Sequence, residues 1–177
     1  MVTISGSPSI SSRLSGVLDF VHSRLEQHNV QVGWTNVRDL PAEDLLYARV
    51  DSPSIVALNR QIEQADAVIV ASPVYKASYT GLLKACLDLL PQKSLENKVV
   101  FPMLIGGTMS HFLALDTALK PVLVALGAEN ILRGVFVLEK DVEQTPDGDF
   151  HIHPDIRSRL TDAVNGMVEK VNPLSPA

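Results

Sequence analysis

The loop after the first apolar run of the chain has the composition of a phosphate-binding turn. Val2–Ser5 ends at Gly6-Ser7-Pro8, and further serines and Arg13 come before a helical pattern. Such a loop directs backbone N–H groups, hydroxyls and a positive helix end towards one point, which suits a dianionic phosphate. The spacing lacks both G-x-G-x-x-G and G-x-x-x-x-G-K-[ST], which favours a monophosphate over a pyrophosphate or triphosphate. The alternative interpretation is a serine-rich turn that only caps the helix.

Two later loops have features that suit a planar ligand. The apolar run 67–71 is followed by Ser72-Pro73-Val74-Tyr75, where a rigid turn and an aromatic ring come together. The run 99–105 is followed by Gly106-Gly107-Thr108, where two absent side chains let backbone approach a flat ligand. Each loop also has a simpler interpretation, with Gly-Gly as a flexible turn and Tyr75 as a half-buried anchor.

Alternating apolar runs and helical stripes predict the elements that position these loops. The predicted strands are 2–5, 30–35, 67–71, 99–105 and 131–138, and the predicted helices are 14–25, 55–64, 82–90, 115–126 and 156–171. Apolar strands that alternate with amphipathic helices are typical of a doubly wound parallel α/β sheet. The chain length and right-handed crossovers favour the flavodoxin-like order 2-1-3-4-5, in one domain over 1–177. Ligands bind such sheets at the carboxyl ends of the strands, so the three loops are expected to converge.

Composition limits the class of protein. The 177 residues carry a net charge of −5 with no basic block, which argues against nucleic acid or an anionic membrane as partner. There is one cysteine, so no internal disulfide can form, and a reducing compartment is expected. No signal-like segment or bilayer-length apolar run is present. These features predict a soluble cytoplasmic protein.

Several motifs in register resemble one known family. They are Gly6-Ser7-Pro8 with Ser12-Arg13, Asp44-Leu45-Leu46-Tyr47-Ala48-Arg49, Ser72-Pro73-Val74-Tyr75-Lys76 with Gly81 and Lys84, Gly106-Gly107-Thr108 with His111, and Leu119-Lys120-Pro121-Val122-Leu123. Over residues 1–137 the chain resembles the NADPH-dependent FMN reductases, and within them the reductase component of bacterial two-component alkanesulfonate monooxygenases. The resemblance implies a flavodoxin-like fold, FMN and NADPH, and release of reduced FMN to a partner monooxygenase. It also implies a dimer or homotetramer packed through the helices after the third and fourth strands.

The same resemblance assigns the residues of the site. Ser7, Ser12 and Arg13 would bind the FMN phosphate, with Ser9 and Leu14 nearby; Pro73, Val74 and Tyr75 would flank the isoalloxazine ring; Gly106, Gly107 and Thr108 would contact its pyrimidine side. No catalytic side chain and no metal are expected, because the flavin supplies the chemistry. Two departures from the family pattern are Thr117, where relatives often carry a bulky residue, and the segment after Leu138.

Two other functions share these loops. One is an FMN-bound quinone or azo-dye reductase, and the other is a flavodoxin-type electron carrier without enzyme activity. Among single residues, Cys86 is predicted to be a small core residue, and His151 and His153 are predicted to lie in a solvated loop. Pro121 is predicted to kink its helix or to lie where a carbonyl is free.

Overall fold

The computed structural model describes residues 1–171, and its central element is a mostly parallel sheet. The strands of this sheet are β1 (Val2–Ser5), β2 (Gly33–Asn36), β3 (Ala67–Tyr75), β4 (Ser78–Tyr79), β5 (Val99–Gly106), β6 (Asn130–Ile131) and β7 (Val135–Leu138). The order is β2-β1-β3-β5, with β6 and β7 both paired to β5 as the two halves of the fifth predicted strand. The predicted flavodoxin-like order 2-1-3-4-5 is therefore confirmed.

Helices cover both faces of the sheet. They are α1 (Arg13–Gln27), α2 (Ala42–Leu46), α3 (Pro53–Glu63), α4 (Gly81–Leu87), α5 (Lys120–Ala125) and α6 (Pro154–Val171). One apolar layer joins α1 and α6 to the sheet, and the other joins α3, α4 and α5 to its opposite face. Within residues 1–171, no helix is both long and apolar enough to cross a bilayer.

The fifth predicted strand is interrupted, and Pro102 on β5 explains the break. The β5 ladder pairs Val100 with Ile131 and resumes at Met103 with Val135. Proline has no N–H to give to a neighbouring strand. A Cβ on Gly134 would lie 2.9 Å from the Pro102 carbonyl oxygen. Pro102 therefore faces the residues between β6 and β7, where the strand is interrupted. The continuous strand 131–138 predicted from its apolar residues was therefore wrong in this detail.

The helix after β5 is also irregular, close to the predicted interruption at Pro121. Residues Leu115–Leu119 form a π-helix, and α5 continues from it with the proline in its first turn. A proline ring in a regular helix would clash with the carbonyl four residues earlier, and a widened turn avoids that clash.

The segment after β7 contains regular structure that the sequence pattern did not predict. After a 3₁₀ turn at Glu139–Asp141, β8 (Val142–Gln144) and β9 (Phe150–Ile152) form an antiparallel hairpin. Phe150 packs on α1 at Gly16, where a Cβ would lie 2.4 Å from the Phe150 ring. Glycine at this position lets the hairpin approach the helix.

Candidate functional site

The first loop is fixed to β3 and α4 by its glycine. The Gly6 N–H donates to the Ala71 carbonyl at 2.8 Å, which extends the pairing of β1 with β3. A Cβ on Gly6 would lie 2.5 Å from the Cβ of Leu83, so a larger residue would push the loop away from α4. The loop therefore leaves the sheet at a position that only glycine allows.

Two buried hydroxyls join the first and second loops. The Thr80 hydroxyl donates to the Gly6 carbonyl at 2.7 Å and accepts from the Leu83 N–H as the cap of α4. The Ser72 hydroxyl accepts from the Thr80 N–H at 3.0 Å. Both side chains are almost fully buried. This network was not predicted from the sequence, although a threonine directly before an apolar helix is a recognisable cap signal.

The serines of the first loop bond to one another and to the start of α1. The Ser7 hydroxyl donates to the Ser12 hydroxyl at 3.2 Å and lies within 3.3 Å of the Ser9 N–H. Ser12 caps α1 by accepting from the Ser15 N–H, and the Ser15 hydroxyl completes a capping box. The alternative interpretation of a capping turn is thus correct for Ser12, and it is compatible with a phosphate site at the same helix end.

Arg13 and Leu14 lie in the first turn of α1. Their backbone N–H groups belong to the helix start, where no carbonyl of the helix can accept them. The exposed Arg13 side chain donates through Nε to the Val142 carbonyl at 2.9 Å, which holds β8 against α1. The Leu14 side chain packs in the core, so only its backbone is suited to bind an anion.

A cavity of about 210 Å³ joins these residues to the second loop. Of the predicted site residues, its lining includes Ser7, Ser9, Ser12, Arg13, Leu14, Pro73 and Tyr75. Ser11, Ile105 and Glu139 also line it and were missed by the sequence analysis. Glu139 directly follows β7, so its position at the strand's carboxyl end was the available signal.

Tyr75 is placed by a tight hairpin between β3 and β4. Tyr75 pairs with Ser78, and the two residues between them, Lys76 and Ala77, have φ values of 51° and 64°. Two positive φ values are typical of a type I′ turn, whose twist matches that of the strands. Tyr75 is 53% exposed and lines the cavity, so it forms a solvent-accessible wall while about half of its surface is covered, as in the alternative interpretation of a half-buried anchor.

The third loop lies beside this cavity, and its residues have different surroundings. Gly106 is buried, and a Cβ there would lie 3.0 Å from the Phe136 ring and 3.4 Å from Val74, so packing already requires glycine. Gly107 is exposed, with Glu139 Oε2 3.8 Å from a Cβ built on it. Thr108 caps a short 3₁₀ turn by accepting from the Ser110 N–H. Val74, Gly106, Gly107 and Thr108 do not line the 210 Å³ cavity, although the sheet brings their strand ends next to it.

The residues set aside in the sequence analysis are also placed. Cys86 is fully buried, and desolvation raises the pKa of its thiol to about 12, so the prediction of a core residue is confirmed. His151 is exposed on β9 and His153 directly follows it. His151 therefore lies in a strand and not in the predicted loop. Within residues 1–171, the histidines, cysteine and carboxylates form no group of three that would hold a metal ion.

Comparison with known proteins identifies the family. A family model described as NADPH-dependent FMN reductase matches residues 1–143. The chain belongs to this family. It is therefore an oxidoreductase that uses FMN and NADPH.

Individual relatives agree with this assignment. The chain is 44% identical to an FMN reductase (NADPH) of Escherichia coli strain K12, with 96% of this chain and 86% of the relative covered. It is 48% identical to an FMN reductase (NADPH) of Pseudomonas putida, with 80% and 72% covered. Among solved structures, an NADH:FMN oxidoreductase in its apo form superposes with a TM-score of 0.85 at 34% identity, covering 96% and 88%.

The residues of the site fit FMN. Hydroxyls, a guanidinium group and the first turn of a 15-residue helix supply donors for a phosphate. Pro73 and Tyr75 provide an adjoining apolar and aromatic wall, as a planar ring requires.

Proposed function

We propose that this flavin reductase binds the FMN phosphate in the 210 Å³ cavity, with the flavin ring extending past Tyr75 to the third loop, and supplies reduced FMN to a partner two-component monooxygenase, with alkanesulfonate or other organosulfur use as its setting. One cavity at the carboxyl edge of the sheet joins the first loop (residues 6–13, the serine loop) to the wall formed by Pro73 and Tyr75, and this observation supports the binding site. The partner and the sulfur metabolism follow from the sequence resemblance to such reductase components.

Phosphate binding is assigned to the first loop. The Ser7 and Ser12 hydroxyls and the Arg13 guanidinium group donate to the phosphate oxygens, together with the first-turn N–H groups of α1. Ser12 continues to accept from Ser15 while it donates its own proton, because a hydroxyl carries one donor and two acceptor positions.

Ring binding is assigned to the second and third loops. Tyr75 and Pro73 form one wall, and the exposed backbone at Gly107 and Thr108 provides N–H groups for the carbonyl edge of the ring. When bound, FMN accepts the hydride from NADPH. The protein then has to orient two rings and stabilise negative charge, and no side chain has to act as a nucleophile or base.

Release of the reduced flavin agrees with the exposure of this ring site. Tyr75 is more than half exposed, and Gly107 and Thr108 are also at the surface. A flavin held on an open wall can exchange, as a reductase that serves a separate monooxygenase requires. The single, buried cysteine supports a reducing, cytoplasmic setting.

A homo-oligomer through the helix after β5 is part of the proposal. Leu113, Thr117, Pro121 and Val124 are exposed and recur at helical spacing from the turn before the π-helix through α5. Leu113 and Val124 are 61% and 59% exposed, which is high for large apolar side chains in one row. We assign this face to contact between copies in a dimer or tetramer.

The decisive experiment measures NADPH consumption by the purified protein with and without FMN, against FMN alone. We expect oxidation that depends on both protein and FMN, and faster turnover with NADPH than with NADH. Addition of the monooxygenase component should increase the rate of NADPH consumption at an unchanged flavin concentration. Oxidation no faster than with free FMN would refute the reductase, whereas faster turnover with a quinone than with FMN would favour the quinone reductase instead.

A further inference from the structure

A continuous chain of hydrogen bonds runs from the serine loop to the cavity wall through two hydroxyl side chains. The Thr80 hydroxyl donates to the Gly6 carbonyl at 2.7 Å, and the Thr80 N–H donates to the Ser72 hydroxyl at 3.0 Å. The Ser72 hydroxyl carries one proton, and the Pro73 carbonyl at 2.8 Å is a nearer acceptor for it than the Thr80 hydroxyl at 3.4 Å. The chain therefore links Gly6 of the serine loop to Pro73 of the wall.

The Thr80 hydroxyl replaces a strand bond that Pro73 cannot make. In a parallel pair of strands, a residue bonds through its N–H and its carbonyl to the residues before and after its partner. The Gly6 N–H donates to the Ala71 carbonyl at 2.8 Å, so the donor expected at the Gly6 carbonyl is the N–H of residue 73. Proline has no N–H, and the Thr80 hydroxyl donates there instead. The proline in the wall and the hydroxyl on the start of α4 thus belong to one contact.

Both hydroxyls lie in the interior of the protein. Ser72 and Thr80 are 0% and 2% exposed, so solvent cannot take the place of a lost partner. A buried carbonyl or N–H without a partner is unfavourable, so the bonds of the chain hold one another in place. To cap α4, Thr80 needs only to accept from the Leu83 N–H. The bonds to Gly6 and Ser72 exceed what a helix cap requires.

We propose that Ser72 and Thr80 are positioning residues for hydride transfer, which fix the distance between the phosphate site and the ring wall. This inference rests on the proposed function, which assigns the FMN phosphate to the serine loop and the ring to the region past Tyr75. A flexible ribityl chain joins the phosphate of FMN to its ring, so the two loops of the protein set where the ring lies. A misplacement of about 1 Å can lower a rate by about 100-fold.

Single-turnover reduction of FMN at saturating NADPH tests the proposal. Thr80→Val removes the hydroxyl and keeps the shape of the side chain, Ser72→Ala removes the second hydroxyl, and Thr80→Ser keeps the first. Ser52→Ala is the matched control, because Ser52 caps α3 and does not line the cavity. We expect the rate constant to fall about tenfold in Thr80→Val and in Ser72→Ala. It should stay within about twofold of the wild type in Thr80→Ser and in Ser52→Ala.

Riboflavin separates a positioning role from a general loss of structure. It lacks the phosphate, so its ring can settle on the wall wherever the serine loop lies. In Thr80→Val, reduction of riboflavin should therefore stay within about twofold of the wild type while reduction of FMN falls. Should Thr80→Val fail to fold, the same comparison with Ser72→Ala decides, because that variant leaves the cap of α4 in place. The double variant should be no slower than the slower single variant, since both changes break one chain.

Flavin fluorescence gives a readout without turnover. Stacking on the Tyr75 ring quenches flavin emission, so FMN bound to the wild type should be dim. In Thr80→Val the Kd for FMN, measured by equilibrium dialysis, should rise by no more than about threefold, because the phosphate donors are unchanged. The bound FMN should nevertheless be quenched about half as much as in the wild type. Equal quenching of bound FMN in the two proteins would contradict the positioning role.

Failure of this inference differs from failure of the reductase function. Unchanged FMN reduction in both Thr80→Val and Ser72→Ala, or equal losses with FMN and riboflavin, would overturn the positioning role. In either case the wild-type protein would still reduce FMN. A wild-type protein that does not reduce FMN would instead refute the proposed function.

Discussion

At the residue scale, Arg13 has one observed contact and one proposed role. Its Nε donates to the Val142 carbonyl, which leaves the terminal nitrogens of the guanidinium group free to bind an anion in the cavity. A structural role would affect any ligand of the site, whereas an anion-binding role affects only phosphorylated ones. Riboflavin, which lacks the phosphate, distinguishes the two roles.

Arg13→Ala is expected to raise the KM for FMN by about tenfold, since a charge-assisted hydrogen bond contributes roughly 1.5–3 kcal/mol. The KM for riboflavin should change by less than twofold. Arg24→Ala, which removes the same charge near the other end of α1, is the control and should leave both values unchanged. An equal rise for FMN and riboflavin would show that Arg13 acts only through the hairpin.

Glu139 brings a negative charge to the cavity in which we propose that the phosphate binds. It lies beside Gly107 at the end of β7 and is exposed to solvent. Glu139→Gln keeps the size of the side chain and removes the repulsion, so we expect the KM for FMN to fall by about threefold at low salt. The difference should shrink at high salt because exposed charges are screened. A higher KM in steady-state assays would mean that the carboxylate accepts a hydrogen bond from the flavin instead.

At the element scale, β1, β2 and α1 meet at a partly buried histidine. His22 on α1 bonds through Nε2 to the Thr3 hydroxyl at 2.8 Å and contacts the Trp34 ring. Desolvation lowers the pKa of His22 from 6.5 to about 4. The neutral imidazole is therefore part of the packing between α1 and the edge of the sheet.

This histidine makes stability depend on pH. Between pH 6.5 and about 4 the unfolded chain binds a proton at His22 that the native state excludes, so the free energy of unfolding falls as the pH falls through this window. The free energy of unfolding can change by at most about 1.4 kcal/mol per pH unit through this one group, and partial exposure of the ring makes the change smaller. Urea denaturation should show that the wild type loses about 1 kcal/mol more than His22→Gln between pH 7 and pH 5. Equal losses in the two proteins would contradict the assignment.

At the scale of the whole molecule, the candidate site and the proposed contact face are distinct but neighbouring regions. The cavity lies at the carboxyl ends of β1, β3 and β5, and the exposed row that includes Leu113 and Val124 lies on the helix after β5. The helix that carries this row begins soon after the third loop, so the contact face adjoins the candidate site.

Val124→Glu is expected to break the proposed contact and shift the mass measured by light scattering towards the 19.2 kDa of a single chain. A buried unpaired carboxylate at an apolar interface is strongly unfavourable. Val50→Glu makes the same change at an exposed valine between α2 and α3, outside this row, and should leave the mass unchanged. A wild-type protein that is already monomeric at micromolar concentration would refute the interface.

The sequence by itself determined the sheet order and the capped turn before α1, because periodicity, serine and glycine act through local backbone geometry. Tertiary structure alone decided the contacts between distant segments. Three such contacts join residues far apart in the chain: the Thr80 hydroxyl bonds to the Gly6 carbonyl, Glu139 lines the cavity with the first loop, and Phe150 packs on Gly16. No local pattern specifies such pairs, because they depend on how the strands and helices pack.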